Sequence, residues 1–338
     1  MARSLAELLH GGPVTAEEVE RISDTLIFEQ GRPGPKFLRF AILLVLASAI
    51  ASFGLLGDSV AAVIGAMIVA PLMLPIMGMA FSISLGDRPR ILNTLLVSLA
   101  GIAMAVAVGY GLTLPVAGLM HPRQIPQIMV RTAPHLIDLM AALATGVAGA
   151  FALSRRDVSD TLPGVAIAVS LVPPLANVGI LLACGEPSLA SGSLLLFITN
   201  DVAILLMGAL VFSLMGFRQV ATSPSDPRAR RRALSVAFAG LLLIAIPLTL
   251  TSQRLIVTNQ LAVRSEGLVR QWLEGSGYRL QSVDAETADG GIQVLLAGSG
   301  PLPRLETLRD QAEGRLSGRQ LEIKVLEGSS LSLSTGRP

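Results

Sequence analysis

Seven apolar stretches, each of about 20 residues or more, constrain this sequence more than any other feature. A helix of about 20 apolar residues can cross the hydrocarbon core of a bilayer, which is about 30 Å thick. The chain is 51% apolar and only 15% charged, whereas soluble proteins carry about 25% charged residues. The sequence therefore predicts an α-helical polytopic membrane protein in the lipid bilayer. The predicted segments are Phe37 to Leu56, Val60 to Leu85, Ile91 to Leu114, His135 to Leu153, Leu162 to Ala183, Leu189 to Gly216 and Ala233 to Leu250.

An uneven distribution of charge divides the chain into parts. Residues 40–217 contain 6 Arg and 7 Asp or Glu, whereas residues 251–338 contain 10 Arg or Lys and 10 Asp or Glu. A charge-poor membrane body is therefore followed by a soluble domain. The predicted parts are an N-terminal segment at 1–36, a six-helix membrane core at 37–216, a basic linker at 217–232, a seventh membrane helix at 233–250 and a soluble α+β domain at 251–338.

The positions of Arg and Lys in the short loops predict the orientation of the chain, because cytoplasmic loops are enriched in these residues. With a cytoplasmic N-terminus, twelve of them fall on the cytoplasmic side and two, Arg123 and Arg131, on the other. With seven crossings, we therefore expect a cytoplasmic N-terminus and a soluble domain on the outer face, which is periplasmic if the source is a Gram-negative bacterium. If the last segment, which contains Pro247, did not cross, that domain would be cytoplasmic. The twelve residues are Arg32, Lys36, Arg39, Arg88, Arg90, Arg155, Arg156, Arg218, Arg228, Arg230, Arg231 and Arg232.

Two stretches with similar proline patterns indicate an internal repeat. The first contains AMIVAPLMLPIMG within residues 59–87, and the second contains AIAVSLVPPLANVG within residues 160–186. Each stretch is the middle one of three membrane segments. Because three crossings are an odd number, the second group must enter the membrane from the opposite side. The sequence thus predicts two inverted three-helix repeats with proline-broken middle helices, an arrangement in which the broken helices mark a binding site.

The prolines predict a site near the middle of the membrane. A proline donates no backbone hydrogen bond and clashes with the carbonyl four residues earlier, so Pro71 and Pro75 would release the carbonyls of Met67 and Pro71. Pro173 and Pro174 would act in the same way. Released carbonyls suit a cation and a helix N-terminus suits an anion, so the charge of the ligand stays open. The alternative is a pair of kinks that serve only helix packing.

Four polar residues complete the candidate site. Asp201 lies near the centre of the sixth segment, where a carboxylate costs about 2.5 to 3.5 kcal/mol and should face the bundle interior or water. We expect it to bind a proton or a cation, or else to be a hydrogen-bonded packing residue. Asn177 is expected to meet Asn200 across the repeat interface, again with helix packing as the alternative. Ser170 offers a hydroxyl to a released carbonyl.

Small residues indicate close helix packing and, with it, a homo-oligomer. Small residues recur at four-residue intervals on the third and fourth segments, which lets helix backbones approach each other. The residues assigned to packing are Gly65, Ala66, Gly101, Ala105, Gly109 and Gly146.

We expect neither a cofactor nor a metal site, and no enzymatic activity. Cys184 is the only cysteine, so a cysteine-based metal cluster is excluded. The three histidines form no plausible constellation, and the motifs HExxH and GxSxG are missing from the sequence. The basic run at 228–232 is too short, and too close to the membrane, for us to expect a nucleic-acid partner.

The parts outside the membrane also have recognisable patterns. Thr15 and Glu18 have the spacing of a capping box, which predicts a short amphipathic helix. Asp58, in the turn between the first two segments, is expected to cap the second helix. In the soluble domain, helical and alternating patterns predict the order αββαβ and a small sheet with helices on one face.

The broken-helix motifs resemble the bacterial domain-of-unknown-function family 389. The resemblance is carried by GAM-x-x-x-P-x-x-x-P and VPPL-x-x-x-G and covers about residues 40 to 216. It implies a bacterial inner-membrane protein without an established substrate. Asp201 departs from the family pattern, in which an apolar residue follows the conserved Asn, so the resemblance favours the backbone and Asn200 as the shared element. The matching residues are Gly65, Ala66, Met67, Pro71, Pro75, Pro173, Pro174 and Asn200.

These observations favour a membrane transporter or channel for a small solute or ion, with its site between the two broken helices. The competing hypothesis is a non-transporting scaffold or sensor that acts through its outer α+β domain.

Overall fold

Apolar helices form most of the computed structural model, and a small sheet follows them. The chain divides into two units, Met1–Leu248 and Thr249–Pro338. The structure describes residues 14–29, 34–155, 171–220, 227–285, 292–298, 302–312 and 321–327.

The first half of the helical unit begins with the predicted amphipathic helix. Its capping box is confirmed, because Glu18 N donates to Thr15 Oγ1 and Thr15 N donates to the Glu18 carboxylate. Asp87 caps a later helix by accepting a hydrogen bond from Arg90 N. The helices are α1 (Ala16–Leu26), α2 (Pro35–Leu56), α3 (Val60–Val69), α4 (Met73–Leu85) and α5 (Arg88–Thr113).

The second half begins with short 3-10 turns at Leu114–Leu119 and Pro122–Gln124. Another 3-10 turn, Phe217–Gln219, precedes the last helix of this part. That helix starts at Pro227, inside the predicted linker, because proline fits the first turn of a helix. The helices are α6 (Pro126–Met129), α7 (Leu136–Ser154), α8 (Val172–Ala183), α9 (Pro187–Leu214) and α10 (Pro227–Trp272).

Several of these helices can span a membrane. Among the described residues, four stretches are long and apolar enough: α2, Arg88–Leu119, α7 and α9. α3 and α4 together make a fifth, bent by 46° at the break between them. The other two predicted segments are represented by shorter apolar helices, α8 and Leu234–Leu243. Large apolar side chains such as Phe53 and Leu96 are 61% and 65% exposed, as expected for helix faces that contact lipid.

Contacts between the connecting segments define two faces of the helical unit. On the first, the α1 face, Arg21 donates to the Leu153 carbonyl at the end of α7, and Arg90 donates to Ser23. On the second, the α6 face, the Asp58 carboxylate accepts a hydrogen bond of 3.0 Å from Gln127 N. Arg123 pairs there with Glu186 at 2.9 Å. The chain therefore passes through α3 and α4 from the α6 face at Asp58 to the α1 face at Arg90.

The prediction that Asp58 caps the second helix is wrong. Ser59 is the N-cap of α3, and its side chain accepts a hydrogen bond from Ala62 N. Asp58 instead has a φ of 51°, a left-handed conformation that Asp tolerates better than most residues do. This conformation leaves its carboxylate available to the backbone of α6.

The core of the helical unit combines helix pairs within each half with helix pairs from different halves. α4 packs on α9, and α8 packs on α5. Three buried aromatic rings lock the ends of α4 and α9 together, since Phe81 lies 5.2 Å from Phe212 and 5.6 Å from Phe217 between ring centroids. Fully buried aromatic contacts of this kind hold the helix ends in a fixed position.

The second unit has the predicted αββαβ order. Strands β1 (Tyr278–Ala285), β2 (Ile292–Gly298) and β3 (Leu321–Glu327) form one sheet in this order, and helix α11 (Leu305–Ala312) connects the last two. β1 pairs with β2 antiparallel, and β2 pairs with β3 in parallel. Buried side chains from the end of α10, from β2 and from α11 form its separate core. Trp272 anchors α10 by donating to the Arg304 carbonyl at 3.0 Å.

Candidate functional site

The first helix break lies around Pro71. α3 ends at Val69 and α4 begins at Met73. Because Pro71 has no N–H, the Met67 carbonyl lacks the donor that a continuous helix would give it. The Pro71 carbonyl, by contrast, is not released as the sequence predicted, because Leu74 N donates to it at 3.0 Å. Of the two carbonyls predicted to be released here, only that of Met67 fits the structure.

The other three prolines stand in the first turns of two helices. Pro75 is the third residue of α4, and Pro173 and Pro174 are the second and third residues of α8. The first turn tolerates proline because its N–H groups have no partner within the helix. These prolines therefore mark where α4 and α8 begin and do not kink a continuous helix. All three are buried.

Part of the predicted site falls outside the described residues. Ser170 and the first part of the predicted fifth segment lie within residues 156–170, which are not described. The described part of this segment, from Leu171 to Ile180, is buried throughout. The start of α8 is thus enclosed by protein.

The two halves of the helical unit contact each other through corresponding residues. Gly109 on α5 lies directly against the backbone of Ala176 on α8. Gly208 on α9 lies against α4, where an added Cβ atom would be 3.1 Å from Met77 Sδ and 3.1 Å from Ala80 Cβ. Gly208 follows Gly109 by 99 positions, and Ala176 follows Met77 by the same 99 positions. Each half therefore packs a helix with proline in its first turn, α4 or α8, against the last helix of the other half, α9 or α5.

The helices α4 and α8 also run toward opposite faces. α4 is followed by Asp87, which forms an ion pair of 3.1 Å with Arg90 at the α1 face. α8 is followed by Glu186, which pairs with Arg123 at the α6 face.

Asn177 holds the α6 segment in place. Its Nδ2 atom donates to the Ile128 carbonyl at 3.0 Å and to Ser193 Oγ at 2.8 Å. Ser193 Oγ in turn donates to the Arg131 carbonyl at 2.9 Å. We call these four residues, Asn177, Ser193, Ile128 and Arg131, the α6 latch. The side-chain oxygen of Asn177, Oδ1, is buried and has no hydrogen-bond partner among the described residues.

A corresponding contact lies on the α1 face. The Leu26 carbonyl oxygen would be 2.7 Å from a Cβ atom added to Gly78, so the chain after α1 lies directly on α4. Asn93 Nδ2 donates to the Phe28 carbonyl at 2.8 Å. Asn177 follows Gly78 by 99 positions, and Ser193 follows Thr94, the neighbour of Asn93, by the same number. In both halves, therefore, backbone from a preceding short helix or from the chain just after it contacts α4 or α8.

Asn177 and Asn200 are not brought together. Asn177 donates to Ser193, which lies seven residues before Asn200 on α9. Seven residues correspond to about 10 Å along a helix. The Nδ2 group of Asn177 therefore donates its hydrogen bonds within the α6 latch. This contact lies about two helical turns from Asn200, the partner that the sequence predicted.

Asn200 and Asp201 lie in the middle of α9. Asn200 is buried, with 7% of its surface exposed, and Asp201 is half-buried. Asn200 follows Gly101 by the same 99 positions. Gly101 packs against Leu72, the residue that caps the start of α4. By this correspondence, Asn200 takes the same place relative to the start of α8, which contains Pro173 and Pro174, that Gly101 takes relative to the start of α4.

Most of the residues assigned to helix packing make close contacts. Gly101 and Gly109 approach neighbouring helices as described, and Gly146 on α7 lies against α9, where an added Cβ atom would be 2.9 Å from Ile204 Cα. Ala66 and Ala105 are buried. Gly65 is different, since an added Cβ atom would meet nothing within 4 Å.

The sequence interpretation missed the α6 latch and the ion pair between Arg123 and Glu186. Ile128 and Arg131 act through their carbonyl oxygens, which no side-chain pattern reveals. Ser193 could have been found, because it stands 99 positions after Thr94, at the spacing that also relates the two Gly–Asp/Glu turns.

The ion pair on the α6 face is bidentate. Arg123 Nε and Nη2 each donate to one carboxylate oxygen of Glu186, both at 2.9 Å. These hydrogen bonds lower the pKa of Glu186 below its ordinary value, because they favour the charged form. Through the same bonds the carboxylate raises the pKa of Arg123. The pair joins the loop before α6 to the loop before α9.

The comparisons with known proteins concern this same region. An uncharacterised protein from the archaeon Methanocaldococcus jannaschii is 30% identical over 177 residues, which is 52% of this chain and 53% of that protein. The match therefore spans about half of either protein, and it shows that similar sequences are not confined to bacteria. No solved structure matches the chain. Residues 67–206 match a family model described as "Domain of unknown function (DUF389)". This range begins within α3, just before the first helix break, and includes α8 and most of α9. The family model thus confirms, over this part of the chain, the resemblance that the motifs predicted.

Proposed function

We propose that this membrane protein is a transporter or channel for a small solute or ion, with its site between the two helix breaks. One observation carries the proposal: the reciprocal packing of α4 on α9 and of α8 on α5 through residues 99 positions apart. In transporters, such inverted repeats place a binding site near the midplane, at discontinuous helices. The competing explanation, kinks that serve only packing, does not require the matched contacts.

The chemistry of the breaks favours a cation or a neutral hydrogen-bonding solute. The end of α3 presents carbonyl oxygens, including that of Met67, which Pro71 deprives of a helical donor. Pro173 and Pro174 remove two of the N–H groups that an anion would use at the start of α8. Asn200 and Asp201 add side-chain oxygens. In the proposed site, Pro71, Pro75, Pro173 and Pro174 shape the backbone, and the polar contacts come from Ser170, Asn200 and Asp201.

The covers on the two faces support access from alternate sides. The α6 latch encloses the second part of one broken segment, and the chain after α1 encloses the second part of the other. In this account Asn177 controls access to the site and does not bind the solute. Release of one cover would open a path from one face while the other stays closed.

Flux measurements in liposomes test this proposal. The purified chain is reconstituted, and the fluxes of protons, Na⁺, K⁺ and Cl⁻ are recorded with ion-sensitive dyes. We expect flux of at least one cation, and we expect Asn200→Leu and Asp201→Leu to abolish it while folding stays intact. Ser213→Ala is the matched control on α9, because among the described residues its hydroxyl bonds only to the Ala209 carbonyl of its own helix. Unchanged flux in both site variants would refute the proposed site.

The second candidate function is a scaffold or sensor that acts through the α+β domain. It is favoured by the separate core of the second unit, which includes Leu268, Trp272 and Ile292. Under this proposal, deletion of Leu261 to Pro338 removes the cellular phenotype of the protein, while Asn200→Leu leaves it unchanged. The opposite pattern would favour transport.

We also propose an inner-membrane location with a cytoplasmic N-terminus, no catalytic activity and assembly into a homo-oligomer. The distribution of charge supports this orientation. Arg90 and Arg155 belong to the α1 face, whereas only Arg123 and Arg131, of the arginines in the predicted loops, belong to the α6 face. Gly65 is half-buried, and a Cβ atom added there would meet nothing within 4 Å among the described residues, so it is a candidate for packing between subunits. Labelling of single cysteines from either side of the membrane tests the orientation.

A further inference from the structure

A cavity of about 550 Å³ lies where α9 ends and α10 begins, away from the helix breaks. Its lining combines two arginines and a serine with apolar side chains, and it contains no carboxylate among the described residues. We call it the arginine cavity. It is lined by Leu206, Arg218, Pro227, Arg231, Leu234, Ser235 and Phe238.

Arg218 is held in position by the buried residue before it. α9 ends at Leu214, and it is followed by Gly216, whose φ of 83° only glycine adopts readily. Phe217 then inserts into the core, fully buried, between Phe81 and Phe212. With its neighbour fixed, Arg218 is exposed at the surface beside the cavity.

Arg231 belongs to one face of α10. Leu234, Ser235 and Phe238 follow it at three, four and seven residues, a spacing that places all four on the same side of a helix. Arg231 is exposed, and neither it nor Arg218 has an ion-pair partner among the described residues. Two uncompensated guanidinium groups at one opening attract an anion and suit a phosphate, which they can bind by paired hydrogen bonds.

The apolar side of the cavity continues along α10. Phe238, Leu242 and Ile246, at four-residue intervals, are 54%, 44% and 59% exposed. They form an apolar stripe that leads from the cavity along α10, through its apolar stretch Leu234–Leu243 and just beyond it. A free phosphate would leave this stripe unused, whereas the acyl chain of a lipid would cover it.

We propose that the arginine cavity binds an anionic phospholipid, with its phosphate on Arg218 and Arg231 and an acyl chain along Phe238, Leu242 and Ile246. This site is separate from the helix breaks and does not depend on transport. Because the lipid contacts both Arg218 after α9 and Arg231 on α10, it joins the end of the repeat core to the helix that follows.

Native mass spectrometry of the full-length protein in a neutral detergent tests this. Phosphatidylglycerol, phosphatidylcholine and soluble glycerol phosphate are titrated separately. We expect phosphatidylglycerol to be retained at lower concentration than phosphatidylcholine, and glycerol phosphate not to be retained. Each arginine near a membrane surface contributes about 1 kcal/mol to binding anionic lipid, or roughly fivefold in affinity, so Arg218→Gln and Arg231→Gln should each weaken phosphatidylglycerol binding by about this factor.

Arg232→Gln is the matched control. It removes the same charge one position along α10, from a residue outside the cavity lining, and should leave binding nearly unchanged. Equal loss in Arg231→Gln and Arg232→Gln would overturn the proposal in favour of non-specific charge attraction. Retention of glycerol phosphate as tight as that of phosphatidylglycerol would also overturn it, since the ligand would then be a soluble phosphate.

Discussion

Gly109 on α5 lies directly against the carbonyl group of Ala176 on α8, with no room for a side chain between them. Gly179, one turn further along α8, is equally close to the backbone of Val106. This crossing joins the last helix of the first half to the broken segment of the second half. Close backbone contact of this kind depends on glycine at both positions.

Substitution of Gly109 by Ala should therefore destabilise the helical unit by about 1–3 kcal/mol, the usual cost of overpacking. Gly111→Ala on the same helix is the control, because an added Cβ atom there would meet nothing within 4 Å. It should be neutral or stabilising by about 0.4–1 kcal/mol, since alanine restricts the unfolded chain. Thermal unfolding of the two variants in the same detergent measures the difference, and equal melting temperatures would contradict the crossing.

Release of the α6 latch is a second prediction. Asn177→Ala removes the donor to the Ile128 carbonyl and to Ser193, which should cost about 1–3 kcal/mol for the groups left unsatisfied. The α6 segment should then open more often. The labelling rate of a cysteine at position 128 measures this opening, because Ile128 is fully buried in the closed state. The cysteine is introduced as Ile128→Cys in a Cys184→Ser background.

A hydrophilic maleimide should label that cysteine faster once Asn177 is replaced. Ser191→Ala serves as the control, since the Ser191 hydroxyl bonds only to the Ser188 carbonyl within α9. If both backgrounds are labelled at the same rate, Asn177 does not hold the segment closed.

The ion pair between Arg123 and Glu186 predicts a pH dependence. The bond from Arg123 lowers the pKa of Glu186 below its ordinary value of 4.5. A carboxyl group with a lowered pKa in the folded state stabilises the protein above its ordinary pKa, and this contribution is lost as pH falls through the lowered pKa. The melting temperature of the wild type should exceed that of Arg123→Gln slightly at pH 7, and the difference should vanish in acid.

High salt should reduce the same difference, because the pair is on the surface and is screened. A difference between wild type and Arg123→Gln that is constant from pH 7 to pH 3 would show that the pair contributes nothing through the charge of Glu186.

The positions of the membrane helices could be predicted from the sequence because their boundaries have local causes. The second and third predicted segments meet at the Gly86–Asp87 turn, where Gly86 adopts a φ of 78° and Asp87 caps α5. In the soluble domain, the alternating pattern of β2 corresponds to buried Ile292, Val294 and Leu296. Hydropathy and capping are short-range signals, so a single sequence reveals them.

The partners within the site could not be predicted in the same way. Asn177 bonds to Ile128, 49 positions away, through a backbone carbonyl, and composition gives no indication of such a partner. The prolines did locate the first break and the start of α8, but their role in α8 differs from the predicted kink because helix initiation and helix kinking share one sequence signal. The 99-residue correspondence between Gly109 and Gly208 was present in the sequence, but it acquires meaning only from the contacts that the two glycines make.

The most direct test of a site at the helix breaks is the accessibility of position 200. Asn200→Cys is made in the Cys184→Ser background and exposed in membranes to a small charged methanethiosulfonate reagent. Ile204→Cys, one turn further on α9 and fully buried, is the matched control. The account predicts that the reagent modifies Asn200→Cys from the aqueous phase and leaves Ile204→Cys unmodified. Modification of neither cysteine, with only a lipid-soluble maleimide reacting at position 200, would contradict it.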